Sequence, residues 1–227
     1  MTHKLAGLIT LVISIGLLLI KPCPGSPALA TRGSSDVLIK KASPPVVNLY
    51  YESLCPGCRA FAKEQLCPTW EKMGDYFLIE YVPYGNAKTN VSSSGEITIS
   101  CQHGDDECAG NRLHSCALHV LHYKLSTKFI CCMESSEDFD KAGPECAKKL
   151  HIDFKALKTC ADSSEGNYLH YLNGVQTSKL DPPHEWVPWI LFNSKYNKDD
   201  MAKAQDDLVS VLCEYLSDPK PHECNEV

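Results

Sequence analysis

The sequence predicts an α/β fold in which two sheet-and-helix segments are separated by a disulfide-rich helical insertion. Three observations carry the prediction. A short apolar run leads into Cys55-Pro56-Gly57-Cys58, a helical pattern and a second apolar run. Residues from about 101 to 180 then hold seven cysteines within mostly helical patterning. The chain finally returns to an apolar run at Trp189–Phe192 and a last helical pattern.

Val46-Val47-Asn48-Leu49-Tyr50-Tyr51 is β-branched, apolar and aromatic, the composition of a buried strand. After the paired cysteines, Arg59–Leu66 reads as a helix that Pro68 must kink or restart, because proline has no N–H to donate and crowds the preceding turn. Tyr76–Val82 is a second strand, ended by Pro83 and Gly85. In the cysteine-rich block, Leu113, Cys116, Ala117, Val120 and Leu121 fall on one helical face. Shorter helices are expected near 129–139, 153–161 and 167–176. Trp189–Phe192 is the third strand and Asn193-Ser194-Lys195 a turn. Asp199 or Asp200 is positioned to cap a final helix carrying Met201, Ala204, Leu208, Val211, Leu212 and Tyr215 on one face.

The N-terminus bears on the compartment. His3 and Lys4 precede an apolar run from Leu5 to Ile20, followed by prolines and small residues. Sixteen apolar residues are short for a span, which needs about 20, whereas a basic start and small-residue exit fit a signal peptide over residues 1–30, cut near 25 or 30. Either cut removes Cys23 and leaves twelve of the thirteen cysteines. In the oxidising secretory route most of these end in disulfides. Residues 31–45 read as a leader and 46–227 as the folded domain. Asn90-Val91-Ser92 is a candidate glycosylation site at Asn90. The net charge of −6 argues against broad affinity for nucleic acid or anionic membrane.

Two cysteines with two residues between them at a helix start have the arrangement needed for disulfide exchange. Unpaired N–H groups and partial positive charge at the helix tip stabilise a thiolate, the reactive form. One turn inside, a second thiol can resolve the mixed disulfide. Cys55 is therefore the candidate attacking residue and Cys58 the resolving one. Activity near pH 5 would require a Cys55 pKa well below the usual ~8.5. Two ordinary bridging cysteines are the alternative. Val187-Pro188, opening the third strand, strengthens the exchange reading, because thioredoxin-like proteins place a cis-proline beside this pair. There the preceding backbone pairs with an extended substrate, making Val187 and Pro188 the candidate substrate-binding residues.

The run Cys101-Gln102-His103-Gly104-Asp105-Asp106-Glu107-Cys108-Ala109-Gly110-Asn111, continuing to Cys116, resembles the signature C-Q-H-G-x2-E-C-x2-N-x4-C of the gamma-interferon-inducible lysosomal thiol reductases. Tyr84-Gly85-Asn86-Ala87 and Pro182-Pro183-His184-Glu185 are similar to further segments of that family, and the resemblance runs from about Val46 to Cys224. It implies a thioredoxin-like fold, an acidic lysosomal setting reached by the secretory pathway (with secretion as a further destination), a role in antigen processing, and a reductase of protein disulfides. Against the family pattern, Cys67 and Cys131 look additional, and Pro56 removes one N–H from the helix tip. A zinc site at Cys101, His103, Cys108 and Cys116 has suitable ligand types. The secretory setting favours disulfides there and no metal, with His103, Gln102 and Asn111 shaping a turn and helix entry. His114, His119 and His122 read as solvated.

The function expected is thus a thiol–disulfide oxidoreductase with the Cys55/Cys58 dithiol. It needs no bound cofactor; a small-molecule or protein thiol regenerates it. Its partners are disulfide-bonded proteins, with no nucleic acid and no membrane once the signal is removed. A secretory-pathway oxidase or isomerase using the same pair, and a non-enzymatic disulfide-rich binding protein, remain open alternatives.

Overall fold

A computed structural model describes residues 43–226. The signal-peptide reading and most of the leader lie outside the described residues. In chain order the elements are β1 (Val46–Tyr51), α1 (Pro56–Phe61), a π-helical turn (Ala62–Leu66) and α2 (Cys67–Met73), then β2 (Leu78–Pro83), β3 (Lys88–Val91) and β4 (Ile97–Ser100). There follow α3 (Asp105–Val120), α4 (Tyr123–Glu134), α5 (Phe139–Lys149), α6 (Phe154–Ala161) and α7 (Ser164–Thr177). The described chain closes with β5 (Trp189–Phe192), α8 (Lys198–Ala204), α9 (Leu208–Tyr215) and a 3-10 turn, His222–Asn225.

β1 is the middle strand, parallel to β2 and antiparallel to β5, so that Leu49 lies opposite Tyr81 on one side and Ile190 on the other. A central strand is covered on both faces, which is why β1 is a nearly continuous apolar run. Val47, Leu49, Tyr51, Leu66, Met73, Phe77, Ile190 and Phe192 fill the core around this sheet, together with Met201, Leu208, Val211 and Leu212. A second core lies within the helical block, built from Leu113, Cys116, Phe129, Met133, Ala142, Cys146 and Leu157. The molecule is therefore a mixed α/β fold of the thioredoxin-like kind carrying a disulfide-rich helical block.

Several elements depart from the sequence expectation, each for a local reason. The helix after Cys55 and Cys58 does not simply kink at Pro68. It widens into a π turn in which the Cys67 N–H bonds to the Ala62 carbonyl, and Pro68 then falls in the first turn of α2, where its missing N–H is harmless. The final helix is two helices. Asn197 caps α8 by accepting the N–H groups of Asp199 and Asp200, and Asp207 caps α9 by accepting that of Ser210. Similarly, the stretch near 129–139 is the end of α4 and the start of α5, where Asp138 caps the new helix. Residues 88–100 form a hairpin, β3 with β4, that the sequence reading did not assign.

Candidate active site

The turn between β1 and α1 delivers the two candidate redox cysteines, Cys55 and Cys58. The Cys55 N–H donates to the Glu52 carbonyl at 3.3 Å, Cys55 itself is extended, and Pro56 opens the helix in the position where its fixed φ fits. The described cysteines form five disulfides, Cys67–Cys131, Cys101–Cys108, Cys116–Cys160, Cys132–Cys146 and Cys213–Cys224. Cys55 and Cys58 are the free ones among the described residues.

Their environments differ. Cys55 retains slight exposure at 9%, while Cys58 is at 1%. A hydrogen bond from the Cys58 thiol is the main influence that lowers the Cys55 pKa to about 6. Burial opposes it, and the N–H groups of Cys58 and Gly57 and the charge of His103 reinforce it. Burial, then the hydrogen bond to Cys55 and its charge, push Cys58 well above the usual thiol range. Between these two pKa values the outer sulfur is the thiolate and the inner one the thiol.

The loop before β5 closes over this pair. Val187-Pro188 is a cis peptide, and the Val187 carbonyl lies 3.7 Å from the Cys55 sulfur. Gly57 faces the same loop: a Cβ there would stand 3.6 Å from Pro188 Cδ and 3.8 Å from the Val187 oxygen, ordinary contact distances. Next to them Trp186 is 42% exposed, its ring packed edge-on against the buried Trp189, which stacks in turn on Tyr196. Asn90 is elsewhere, exposed on β3 of the hairpin.

The segment from Cys101 to Cys116 reaches the redox turn through its polar residues. Asn111 Oδ1 accepts the Ser53 N–H at 3.0 Å, and the Ser53 hydroxyl donates to the Glu107 carbonyl at 3.1 Å. Gln102 Oε1 accepts from the Asn86 amide. His103 does help to shape the entry of α3, because its N–H donates to Glu107 Oε1. Its ring also pairs with the Glu107 carboxyl and stands 3.5 Å from Glu52 Oε2. A thiolate zinc site has no basis there, since Cys101 is bonded to Cys108 and Cys116 to Cys160. Cys101 and Cys108 do come together with His170, but their sulfurs are joined to each other.

Beneath the pair lies a buried polar cluster that sequence reasoning missed. His114 is fully buried, not solvated, and its Nδ1 lies 3.0 Å from the Tyr51 hydroxyl and 3.7 Å from the Glu134 carboxyl. Burial lowers the His114 pKa to about 3 and raises that of Glu134 well above the carboxylate range, so both are neutral in the fold. The available signal was position: His114 precedes Ala117 by three residues and falls within the buried stripe of α3. His119 and His122 are exposed as expected. Arg59 reaches from α1 to the helical block. It donates to the carbonyls of Glu134 and Ser136 and lies 5.1 Å over the Phe139 ring, so it fastens the redox helix to the insertion.

Comparison with known proteins fits this geometry. Residues 46–150 match the family model described as gamma interferon inducible lysosomal thiol reductase. The chain is 42% identical over 187 residues to the gamma-interferon-inducible lysosomal thiol reductase of Carassius auratus, covering 82% of this chain and 74% of that protein. It is 39% identical over 190 residues to the protein of the same name from Mus musculus, again covering 82% and 74%. Among solved structures, the reduced DsbA of Mycobacterium tuberculosis shares the fold at TM-score 0.50 and 16% identity, covering 80% of this chain and 86% of that one.

Proposed function

The chain belongs to the gamma-interferon-inducible lysosomal thiol reductase family and is a thiol–disulfide oxidoreductase, and from that premise we propose that it reduces disulfides of unfolding proteins in an acidic endolysosomal compartment. The observation that carries this reading is the pairing of an outer sulfur of low pKa with an inner, buried thiol, both outside the five disulfides. Cys55 thiolate attacks one sulfur of a substrate disulfide, forming a mixed disulfide and releasing the first substrate thiolate. Cys58, on losing its proton, attacks the Cys55 sulfur. The second substrate thiolate leaves, and the enzyme holds a Cys55–Cys58 disulfide in place of the substrate's. Two electrons have passed to the substrate, and an external small-molecule or protein thiol restores the dithiol.

In this reading the Val187 main chain and Pro188 align an extended substrate strand beside Cys55, and the exposed Trp186 meets apolar side chains of an unfolded chain. The signal peptide brings the chain to the secretory route, Asn90 on the exposed face of the hairpin takes a glycan, and the product supports antigen processing. Among the described residues no helix is long and apolar enough to cross a membrane. The test is reduction of a denatured disulfide protein at pH 5 and pH 7, with Cys55→Ser and Cys58→Ser as controls. Turnover at pH 5 that both substitutions abolish is the expected result. Activity retained by Cys55→Ser, or catalysis only of disulfide formation, would overturn the proposal.

A further inference from the structure

Glu52 lies three residues before Cys55, in the turn that positions it, and is completely buried. One of its oxygens accepts the Asn86 N–H at 2.6 Å. The other, Oε2, has no hydrogen-bond partner and faces the His103 ring at 3.5 Å. The carboxyl is held tightly: Gly85 adopts φ +59, and a Cβ there would come within 2.3 Å of Glu52 Cγ, so only glycine fits against it. The same ring nitrogen, Nδ1, also pairs with Glu107, and the His103 side chain remains 32% exposed. A buried carboxyl beside the redox turn is thus joined to solvent through an imidazole.

We propose that His103 and Glu52 act together as a proton-operated electrostatic control on Cys55. With both protonated the pair presents one positive charge near the thiolate; with both deprotonated it presents one negative charge. Acid therefore sustains the thiolate, and rising pH works against it. These are positioning residues, acting through Cys55 without touching substrate.

The ionisable surroundings agree in sign. Burial, with smaller contributions from Glu107 and Cys55, raises Glu52 to about 7 against the opposing Asn86 N–H and His103 charge. Burial alone would lower His103, but its hydrogen bond to Glu107 and the charges of Glu107, Glu52 and Cys55 raise it above the ordinary value. Both members are therefore protonated at pH 5. The other groups facing Cys55 add little to the swing: Cys58 from α1 stays a thiol, and Glu134 from α4 is kept neutral by burial. Across the Asn86 turn, burial lowers His184, whose Nε2 meets Asn86 Oδ1.

The inference rests on Cys55 being the attacking thiolate, but its test does not depend on the direction of catalysis or on the compartment. Alkylation of Cys55 by iodoacetamide is followed from pH 4 to 9 in a Cys58→Ser background with the five structural disulfides intact. The His103 charge is the smallest of the influences that lower the Cys55 pKa, so His103→Gln is expected to cut the pH 5 rate about two- to threefold. His103→Lys, which keeps a positive charge, is expected to restore most of it, and Glu52→Gln to lower the midpoint. By reciprocity, Cys55→Ser must lower the His103 pKa read by NMR titration of the imidazole. An unchanged alkylation profile in His103→Gln overturns the proposal. So does an unmoved His103 titration in Cys55→Ser, which decides the matter if His103→Gln does not fold.

Discussion

Cys67 and Cys131 are bonded to each other, and their disulfide fastens α2 to α4. It therefore joins the segment that continues the redox helix to the helical block. The other four bridges close loops of 7 to 44 residues, whereas this one spans 64. A long loop restricts the unfolded chain most, by about 4 kcal/mol in the chain-entropy account. The double substitution Cys67→Ser with Cys131→Ser should lower Tm by on the order of 10 °C. Cys55 alkylation at pH 5 should change by no more than about twofold. A calorimetric Tm within 2 °C of the parent would refute the stapling role.

The inner and outer sulfurs should give opposite mutant phenotypes. Cys55→Ser removes the low-pKa nucleophile and should abolish turnover without trapping substrate. Cys58→Ser leaves the attack intact and removes the resolving thiol, so mixed disulfides with substrate should accumulate. Non-reducing gels of a reaction with a scrambled protein check this, and equal trapping by both variants would reverse or erase the assignment.

Trp186 should matter for protein substrates only. Its exposed ring packs on Trp189 and adjoins Val187, whose carbonyl lies beside Cys55. Trp186→Ala is expected to raise KM for a denatured protein several-fold while leaving reduction of a small aromatic disulfide within about twofold. Equal losses on both substrates would place the effect in the chemistry rather than in docking. Gly57→Ala is a companion case. Its Cβ meets neighbours at ordinary distances, so it should fold and keep most activity.

The strand–CxxC–helix order was legible because each part is a local signal: an apolar run in β1, cysteines three apart, and a proline opening β5. The family segments were equally local. The pairing of the disulfides was not, because nothing in the spacing of Cys67 or Cys131 marks them as partners 64 residues apart. The meeting of Glu52 with His103 was hidden for the same reason, since it arises only when the entry of α3 packs on the redox turn. The missed hairpin is a weaker failure. Ser92–Gly95 between Thr89–Val91 and Ile97–Ile99 is a turn signal with β-branched flanks. The π turn before Pro68 follows from proline chemistry, but the choice between a kink and a widened turn depends on tertiary packing.

The last prediction concerns stability against pH and follows from Glu52. Its folded pKa, about 7, lies above the ordinary 4.5, mainly because burial penalises the charged form. A raised pKa means the folded state binds the proton more tightly than the unfolded chain. The stabilisation is complete below pH 4.5 and is lost as pH rises toward 7. Integrated over that interval, the loss is about 3 kcal/mol at most. His114 and His170 act in the opposite sense: burial depresses both to about 3, so their contribution is complete above the ordinary 6.5 and is lost as pH falls toward 3. Total stability is therefore an unsafe readout, and the comparison must cancel the histidines. Glu52→Gln does so, because both proteins keep them. Glutamine cannot ionise, so the difference in unfolding free energy between parent and variant should favour the parent most at pH 4.5. That advantage should shrink by up to about 3 kcal/mol by pH 7.5. Urea unfolding at four or five pH values measures it. A difference that stays constant with pH would mean that Glu52 keeps an ordinary carboxyl pKa in the fold, whatever the reductase chemistry proves to be.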